Sequence, residues 1–279
     1  MRSVLVTGAG RGIGYAVAKR LAATGWHVYA GVREIASGDK LVHELGPNVT
    51  PLILDVTDAA QIESAVEQLP GQLEALVNNA GIAINAPVES VPIDELRRQF
   101  EVNVFGTIAV TQAVLPKIRA AKGRVVFISS ISGRIATPWS GPYCGSKFAL
   151  EALVDALRME VNPWGIEVSL VEPSATDTDM WGEILVDFDA TVGGLAPEQR
   201  NLYATHTKGM RRTLKTMQKT TVSPEHVVKC VERALTAKRP RARYPVGVPS
   251  RVQLAASAVT PTRVNDFVLS RATGIPRKR

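Results

Sequence analysis

The stretch "SVLVTGAGRGIG" (residues 3–14) decides the fold. It opens with a short run rich in Val and Leu, of the kind that forms a buried strand. A glycine-rich turn follows, in which Gly8, Gly12 and Gly14 set the spacing, and an apolar-periodic stretch then runs over 12–24. Strand, glycine-rich turn and helix in that order have a physical use. Glycine lets the backbone turn tightly and come close to a phosphate, and the unpaired N–H groups at the helix N-terminus meet the negative charge. The spacing is G-x-x-x-G-x-G rather than the commoner G-x-G-x-x-G. Its place between a strand and a helix makes it a candidate dinucleotide site, with Arg11 and Ile13 inside the same turn.

Outward from this turn the same rhythm repeats. Strand-like runs lie at 3–7, 27–32, 49–56, 73–79, 124–130 and 166–173, and helical patterns at 12–24, 58–69, 94–121 and 142–163. Near-continuous apolar strands alternating with amphipathic helices predict an α/β fold, a doubly wound parallel sheet covered on both faces, with right-handed crossovers. "ARYPVGV" (242–248) would add an edge strand, giving about seven, and Ser223 with Pro224 starts a helix at 223–235. One domain is expected over 1–250. Within it, 179–222 reads as a long irregular insertion, which in a compact domain suggests a substrate lid. Residues 251–279 read as a weakly patterned basic extension.

Composition narrows the class. Of 279 residues, 45% are apolar and 21% charged, as in ordinary soluble proteins. Cys144 and Cys230 give no disulfide framework, which suits a reducing cytosol. The first strand follows Met1 directly, leaving no room for a signal peptide, and no apolar run nears the roughly 18 residues of a spanning helix. A cytoplasmic protein is therefore expected. The net charge of +7 is concentrated late, at 208–219, 238–243 and the terminal "PRKR". Solvated loops account for it best, with weak contact to an anionic membrane surface as the alternative. No zinc-ligand cluster or nucleic-acid motif accompanies these charges, so neither a metal nor a nucleic-acid partner is expected.

A second stretch, "SGPYCGSKFALEAL" (140–153), carries chemistry. Tyr143 and Lys147 stand one helical turn apart and share a face. An ammonium beside a phenol favours the phenolate, so the Tyr143 pKa is expected below its usual value of about 10. Such a group exchanges protons near neutral pH.

Taken together, the chain resembles the short-chain dehydrogenase/reductase family over about residues 3–178. The resemblance rests on Thr7-Gly-x-x-x-Gly-x-Gly14, "DV" at 55–56, "NNAG" at 78–81, Asn103 in "VNVFG", Ser130 in "ISS" and Tyr143-x-x-x-Lys147, with Ser130 thirteen residues before Tyr143. It implies a Rossmann fold and hydride transfer between a nicotinamide cofactor and a carbonyl or alcohol carbon. Tyr143 would be the acid/base, Lys147 would tune it and bind the nicotinamide ribose, Ser130 would hold the substrate oxygen, and Asn103 would help anchor a relay water. Asp55 and Val56 would hold the adenine, and Asn79, Ala80 and Gly81 would line the adenosine side. Pro173 and Thr178 would border the nicotinamide. Ser174 departs from the pattern by standing where the family usually has glycine.

The second strand ends in Val32-Arg33, not in the acidic residue that usually holds an NAD ribose. A guanidinium suits a 2′-phosphate, so NADP(H) is favoured over NAD(H). Trp139, Met180 and Trp181, with Leu185 and Phe188, give the pocket region an apolar character and predict a bulky hydrophobic carbonyl or alcohol substrate. The wording of 156–173 is similar to the 17β-hydroxysteroid and retinol dehydrogenase branch. Competing readings are a nucleotide-sugar epimerase or dehydratase and a non-catalytic NADP-binding regulatory protein. The resemblance also implies a homodimer or homotetramer built through the helices at 94–121 and 142–163.

Overall fold

Seven apolar runs pair in parallel into one sheet of order β3-β2-β1-β4-β5-β6-β7 among the described residues. The computed structural model describes residues 2–182 and 184–276, without the side chains of 179 and 180. The strands are β1 (Arg2–Val6), β2 (Trp26–Val32), β3 (Val49–Ile53), β4 (Ala75–Asn78), β5 (Arg124–Ile128), β6 (Glu167–Glu172) and β7 (Arg243–Pro245). The helices between them are α1 (Gly12–Ala23), α2 (Ile35–Leu45), α3 (Ala59–Glu67), α4 (Ile93–Phe100), α5 (Thr107–Ala121) and α6 (Gly141–Val161). A π-helical turn, Glu101–Gly106, joins α4 to α5.

Alternation along each strand divides the core in two. Val4, Val6, Val28, Val77, Val126 and Val171 face one side, where Val17 and Leu21 of α1 pack with Val227 and Val231 of α11 (Pro224–Thr236). Leu5, Leu76, Val125, Phe127 and Leu170 face the other, against α3, α5 and α6. Chain order along the sheet reverses around β1, which lies between β2 and β4. The segments leaving β1, β4, β5 and β6 therefore converge at the C-terminal edge, where ligands bind in open α/β sheets.

Two expectations need correction. Residues 179–222 are not irregular: they form α7 (Asp179–Gly182), α8 (Ile184–Gly194), α9 (Pro197–Leu202) and α10 (Ala204–Gln218). Their apolar residues recur one turn apart, as in Ile184/Phe188 and Met210/Leu214, and bury with Leu195 and Trp139 in a third core. The tail is also ordered into helices. α12 (Gly247–Val259) runs across residue 250, so no boundary falls there, and α13 (Thr262–Ala272) follows. The end of α13 rests on α10, with Thr213 Oγ1 donating to the Ala272 carbonyl at 2.8 Å. Helix α2 also escaped the sequence pattern, for it buries only Gly38 and Leu41. Among the described residues no helix is long and apolar enough to cross a membrane.

Candidate active site

The glycine turn is fastened from below by the segment after β4. Thr7 Oγ1 accepts the backbone N–H groups of Asn79 and Ala80, each at 3.0 Å. Asn79 Nδ2 donates back to the carbonyls of Thr7 and Gly8 at 3.0 and 3.1 Å. Asn79 thus shapes the turn itself, a role its motif alone did not disclose. Gly12 has φ +58°, and a Cβ there would stand 3.6 Å from the Thr178 side chain, which brings Thr178 over the turn. At the start of α1, Arg11 provides no side-chain cap and the first turn holds no acidic residue. These uncapped N–H groups suit an anionic ligand.

Around the turn lie the remaining dinucleotide candidates. Arg11 and Arg33 are exposed, Gly12 and Ile13 are half-buried, and Gly14 is buried. The first turn of α2 abuts the glycine turn, since a Cβ on Gly10 would lie 3.5 Å from Ser37. Asp55 Oδ1 accepts from the Thr57 amide and hydroxyl at 2.9 and 2.7 Å, which orders the entry to α3. The Val56 carbonyl lies against the π turn, 2.5 Å from where a Gly106 Cβ would be. The donor set fits a dinucleotide: an uncapped helix N-terminus, a glycine cradle and two exposed guanidinium groups.

Ser130, Tyr143 and Lys147 come together at the C-terminal end of β5. Ser130 follows β5, donates to the Pro173 carbonyl at 3.3 Å and accepts from the Ser132 amide at 3.1 Å. Its hydroxyl also stabilises the ionised form of the Tyr143 phenol. Lys147 Nζ lies 5.9 Å from the Tyr143 ring centroid and donates to the Ile128 carbonyl at 2.9 Å.

The expected lowering of the Tyr143 pKa does not hold. Solvent reaches part of this side chain, yet desolvation outweighs the Ser130 hydrogen bond and pushes the phenol up to about 12. Burial also pushes Lys147 down to about 8, and the charge of Glu151 opposes that shift. Desolvation is the largest cause for both groups and disfavours the charged form of each. Near neutral pH, Tyr143 holds its proton and Lys147 is mainly ammonium.

Asn103 sits in the π turn, a feature that recurs at functional sites. Its Oδ1 accepts the Ile82 amide at 2.9 Å, and its Nδ2 donates to the Ile82 carbonyl and Ser146 Oγ at 3.0 and 3.1 Å. Both amide hydrogens are therefore spent on protein, and the side chain clamps the segment after Gly81 to α6. Gln99, one turn earlier, joins in: its Nε2 donates to the Ile82 carbonyl at 2.8 Å. Gln99 and Ser146 are site residues that sequence reasoning missed, and the motif names Thr7 without giving it a role. A signal existed for one, because Gln99 and Asn103 form a polar i, i+4 pair in an otherwise amphipathic run.

On the substrate side, Trp139 is buried with φ +69° and packs on Phe188 and Tyr203, with ring centroids at 5.0 and 6.1 Å. Trp181 packs partly buried against the same cluster. These aromatics contact each other as lid core. The Met180 side chain lies outside the described residues.

Comparison with known proteins agrees with this geometry. The family model described as short chain dehydrogenase matches residues 2–187. The chain is 36% identical to the NADPH-dependent 3-dehydrocapnine reductase of Ornithobacterium rhinotracheale, over 96% of each chain. It is 34% identical to retinol dehydrogenase 5 of Mus musculus, over 96% of this chain and 87% of the other. The solved structure of a short-chain dehydrogenase from Streptomyces avermitilis superimposes with a TM-score of 0.79 at 29% identity, covering 99% and 98% of the two chains.

Proposed function

The chain belongs to the short-chain dehydrogenase/reductase family, an oxidoreductase of alcohol and carbonyl groups, and from that premise we propose that it uses NADP(H) on a hydrophobic carbonyl or secondary alcohol. The observation that carries the reading is the meeting of Ser130, Tyr143 and Lys147 at the C-terminal end of β5. The NADP(H) preference is supported by Arg11 and Arg33, exposed on the turn and after β2, and by an NADPH-dependent relative.

The first-turn amides of α1 would hold the pyrophosphate, and Arg11 and Arg33 the 2′-phosphate. Asp55 and Val56 would hold the adenine, with Asn79, Ala80 and Gly81 on the adenosine side. Lys147, Pro173 and Thr178 would border the nicotinamide. When bound, the cofactor supplies or accepts the hydride. The chain's own residues manage the oxygen. Ser130 turns its one hydroxyl proton from the Pro173 carbonyl to it, and Tyr143, protonated near neutral pH, gives its proton to the reduced oxygen. The Lys147 ammonium then offsets the phenolate left behind. Asn103 keeps the Ile82 segment and α6 in register. Helices α7–α10 act as a lid whose apolar residues, with Trp139 and Trp181 among them, suit a lipophilic substrate.

Exposed Phe105, Phe148 and Met159 on the π turn and α6 support a homo-oligomer formed through this face. Sedimentation should show a dimer or tetramer, and introducing Glu at position 105 should dissociate it. The enzymatic reading is tested by following NADPH and NADH oxidation with steroid, retinoid and aliphatic carbonyls. Turnover only with small polar carbonyls would reject the substrate class. Faster turnover with NADH would reject the cofactor preference.

A further inference from the structure

The last two helices of the chain carry apolar stripes that no described residue covers. On α12, Val248, Val252, Ala255 and Val259 recur at i, i+4, i+7 and i+11 and share one face. All four are exposed, while Ser250 and Leu254, on the other side of the helix, are buried. On α13, Val264, Phe267, Val268 and Arg271 recur at i, i+3, i+4 and i+7 and are exposed as well. The exposure of these apolar side chains runs from 48% at Val264 to 83% at Val259, so folding hides little of them. Helix α13 has eleven residues and buries none of them, although a helix of that length is marginal by itself. Polar contacts anchor it at both ends. Asn265 Nδ2 donates to the carbonyls of Ser257 and Thr260, each at 3.2 Å, and Thr213 of α10 holds the Ala272 carbonyl.

Basic side chains accompany the stripes. The stretch 208–219, expected in a solvated loop, lies on α10. There Lys208, Arg212 and Lys215 recur at i, i+4 and i+7 on one exposed face, and Lys219 follows at the helix end. The opposite side of α10 buries Met210 and Leu214. The end of α13 packs against α10, for a Cβ on Gly274 would lie 2.5 Å from Gly209 Cα. Arg251 flanks the α12 stripe, and the Arg271 guanidinium lies 5.5 Å from the centre of the Phe267 ring. Among the described residues Arg211 pairs with Asp189, and these other cations have no ion-pair partner. Acids are scarce in the sequence around them: 204–220 holds no Asp or Glu, and Asp266 is the sole acid of 247–279.

We propose that α10, α12 and α13 form a docking surface for a bilayer containing anionic lipid, with the two last helices lying in the interface plane. Helices of thirteen and eleven residues are too short to span a bilayer. An apolar stripe edged by Lys and Arg is what an interfacial helix presents. The valines and Phe267 enter the acyl boundary, and the cations reach the lipid phosphates. A second copy of the chain is a poorer occupant. A symmetric contact sets the same patch against itself, so the basic face of α10 would meet its like with no acid to compensate. Nucleic acid would satisfy the cations, but its bases stack on aromatic rings and leave the valine stripes without a partner. The surface goes beyond the enzymatic reading and does not rest on it, because binding is read without turnover.

The test sediments the full chain with two kinds of vesicle, phosphatidylcholine alone and phosphatidylcholine with about 30% phosphatidylglycerol, which carries a negative surface potential. Binding is expected to the anionic vesicles and to be at least about tenfold weaker to the neutral ones. Lys208→Ala with Lys215→Ala should weaken it by about tenfold or more, at roughly fivefold for each charge near an anionic surface. Val252→Ser with Phe267→Ser should also weaken it by about tenfold or more, through lost apolar burial. Both pairs change exposed side chains, so each Tm should stay close to that of the unaltered protein, which separates lost binding from lost fold. No binding to the anionic vesicles overturns the proposal. So does binding that Val252→Ser with Phe267→Ser leaves intact, because charge attraction alone would then explain it. Tighter binding to duplex DNA than to the anionic vesicles would give the surface to nucleic acid. An oligomer that dissociates in Val252→Ser with Phe267→Ser, read by sedimentation velocity without vesicles, would give it to a second copy. Either result overturns the proposal.

Discussion

A Cβ added to Gly14 would stand 2.2 Å from the carbonyl oxygen of Gly8 and 2.4 Å from Nδ2 of Asn79. Helix α1 starts this close because Thr7 and Asn79 draw the turn down onto the end of β4. Gly14→Ala must therefore break the Asn79 clamp or displace α1. The expected cost is that of overpacking, about 1–3 kcal/mol, read as a lower Tm. NADPH binding should weaken with it in a fluorescence titration. An alanine variant with unaltered Tm and affinity would contradict the turn geometry.

Tyr143→Phe keeps the ring against its neighbours and removes the proton. Turnover should fall by roughly 10²–10⁴-fold, the usual contribution of a general acid–base group, while the NADPH dissociation constant stays within about twofold, a margin far below one pKa unit's worth of interaction. Carbonyl reduction should also decline as pH rises through about 8, where Lys147 loses its charge, well before Tyr143 at about 12 loses its proton. Stopped-flow rates across pH 6–10 check the order of these two events.

Arg33 lies exposed after β2, beside an α2 start that has no acidic residue in its first turn. Arg33→Ala should weaken NADPH binding by about tenfold, the scale of a lost charge-assisted contact. NADH binding should scarcely change, because it lacks the 2′-phosphate. Calorimetry with both cofactors distinguishes this from a general loss of fold, which would weaken both equally.

Glu172 makes stability depend on pH. Burial first and Glu151 second raise its folded value to about 7 from the ordinary 4.5, so between the two the folded chain holds a proton that the unfolded chain releases. This contribution is full below 4.5 and is lost as pH rises through 7. The Tm of the unaltered protein minus that of Glu172→Gln should therefore fall from pH 4.5 to pH 7.5. A difference that grows over this range would refute the raised value. Lys147 acts in the opposite sense at higher pH: its depressed folded value makes stability grow between about 8 and 10.5.

The sheet, its parallel pairing and the glycine turn follow from the sequence alone, because they depend on local periods. Val4 and Val6 against Leu5 already assign the two faces of β1, and the four-residue step from Tyr143 to Lys147 already places them on one side of α6. What depended on distant segments stayed hidden. The lid helices bury residues such as Phe188 against Trp139, some fifty positions away, so their own pattern is too sparse to declare a helix. The π turn needs the Val56 carbonyl beside Gly106 and the Ile82 backbone beside Asn103. The charge states at the centre are tertiary as well. Spacing brings an ammonium near a phenol, but how far each pKa moves depends on which chain segments exclude water, here those carrying Ile128, Pro173 and the Glu151–Glu172–Arg243 cluster. Desolvation is a property of the packed interior, and no local spacing encodes it.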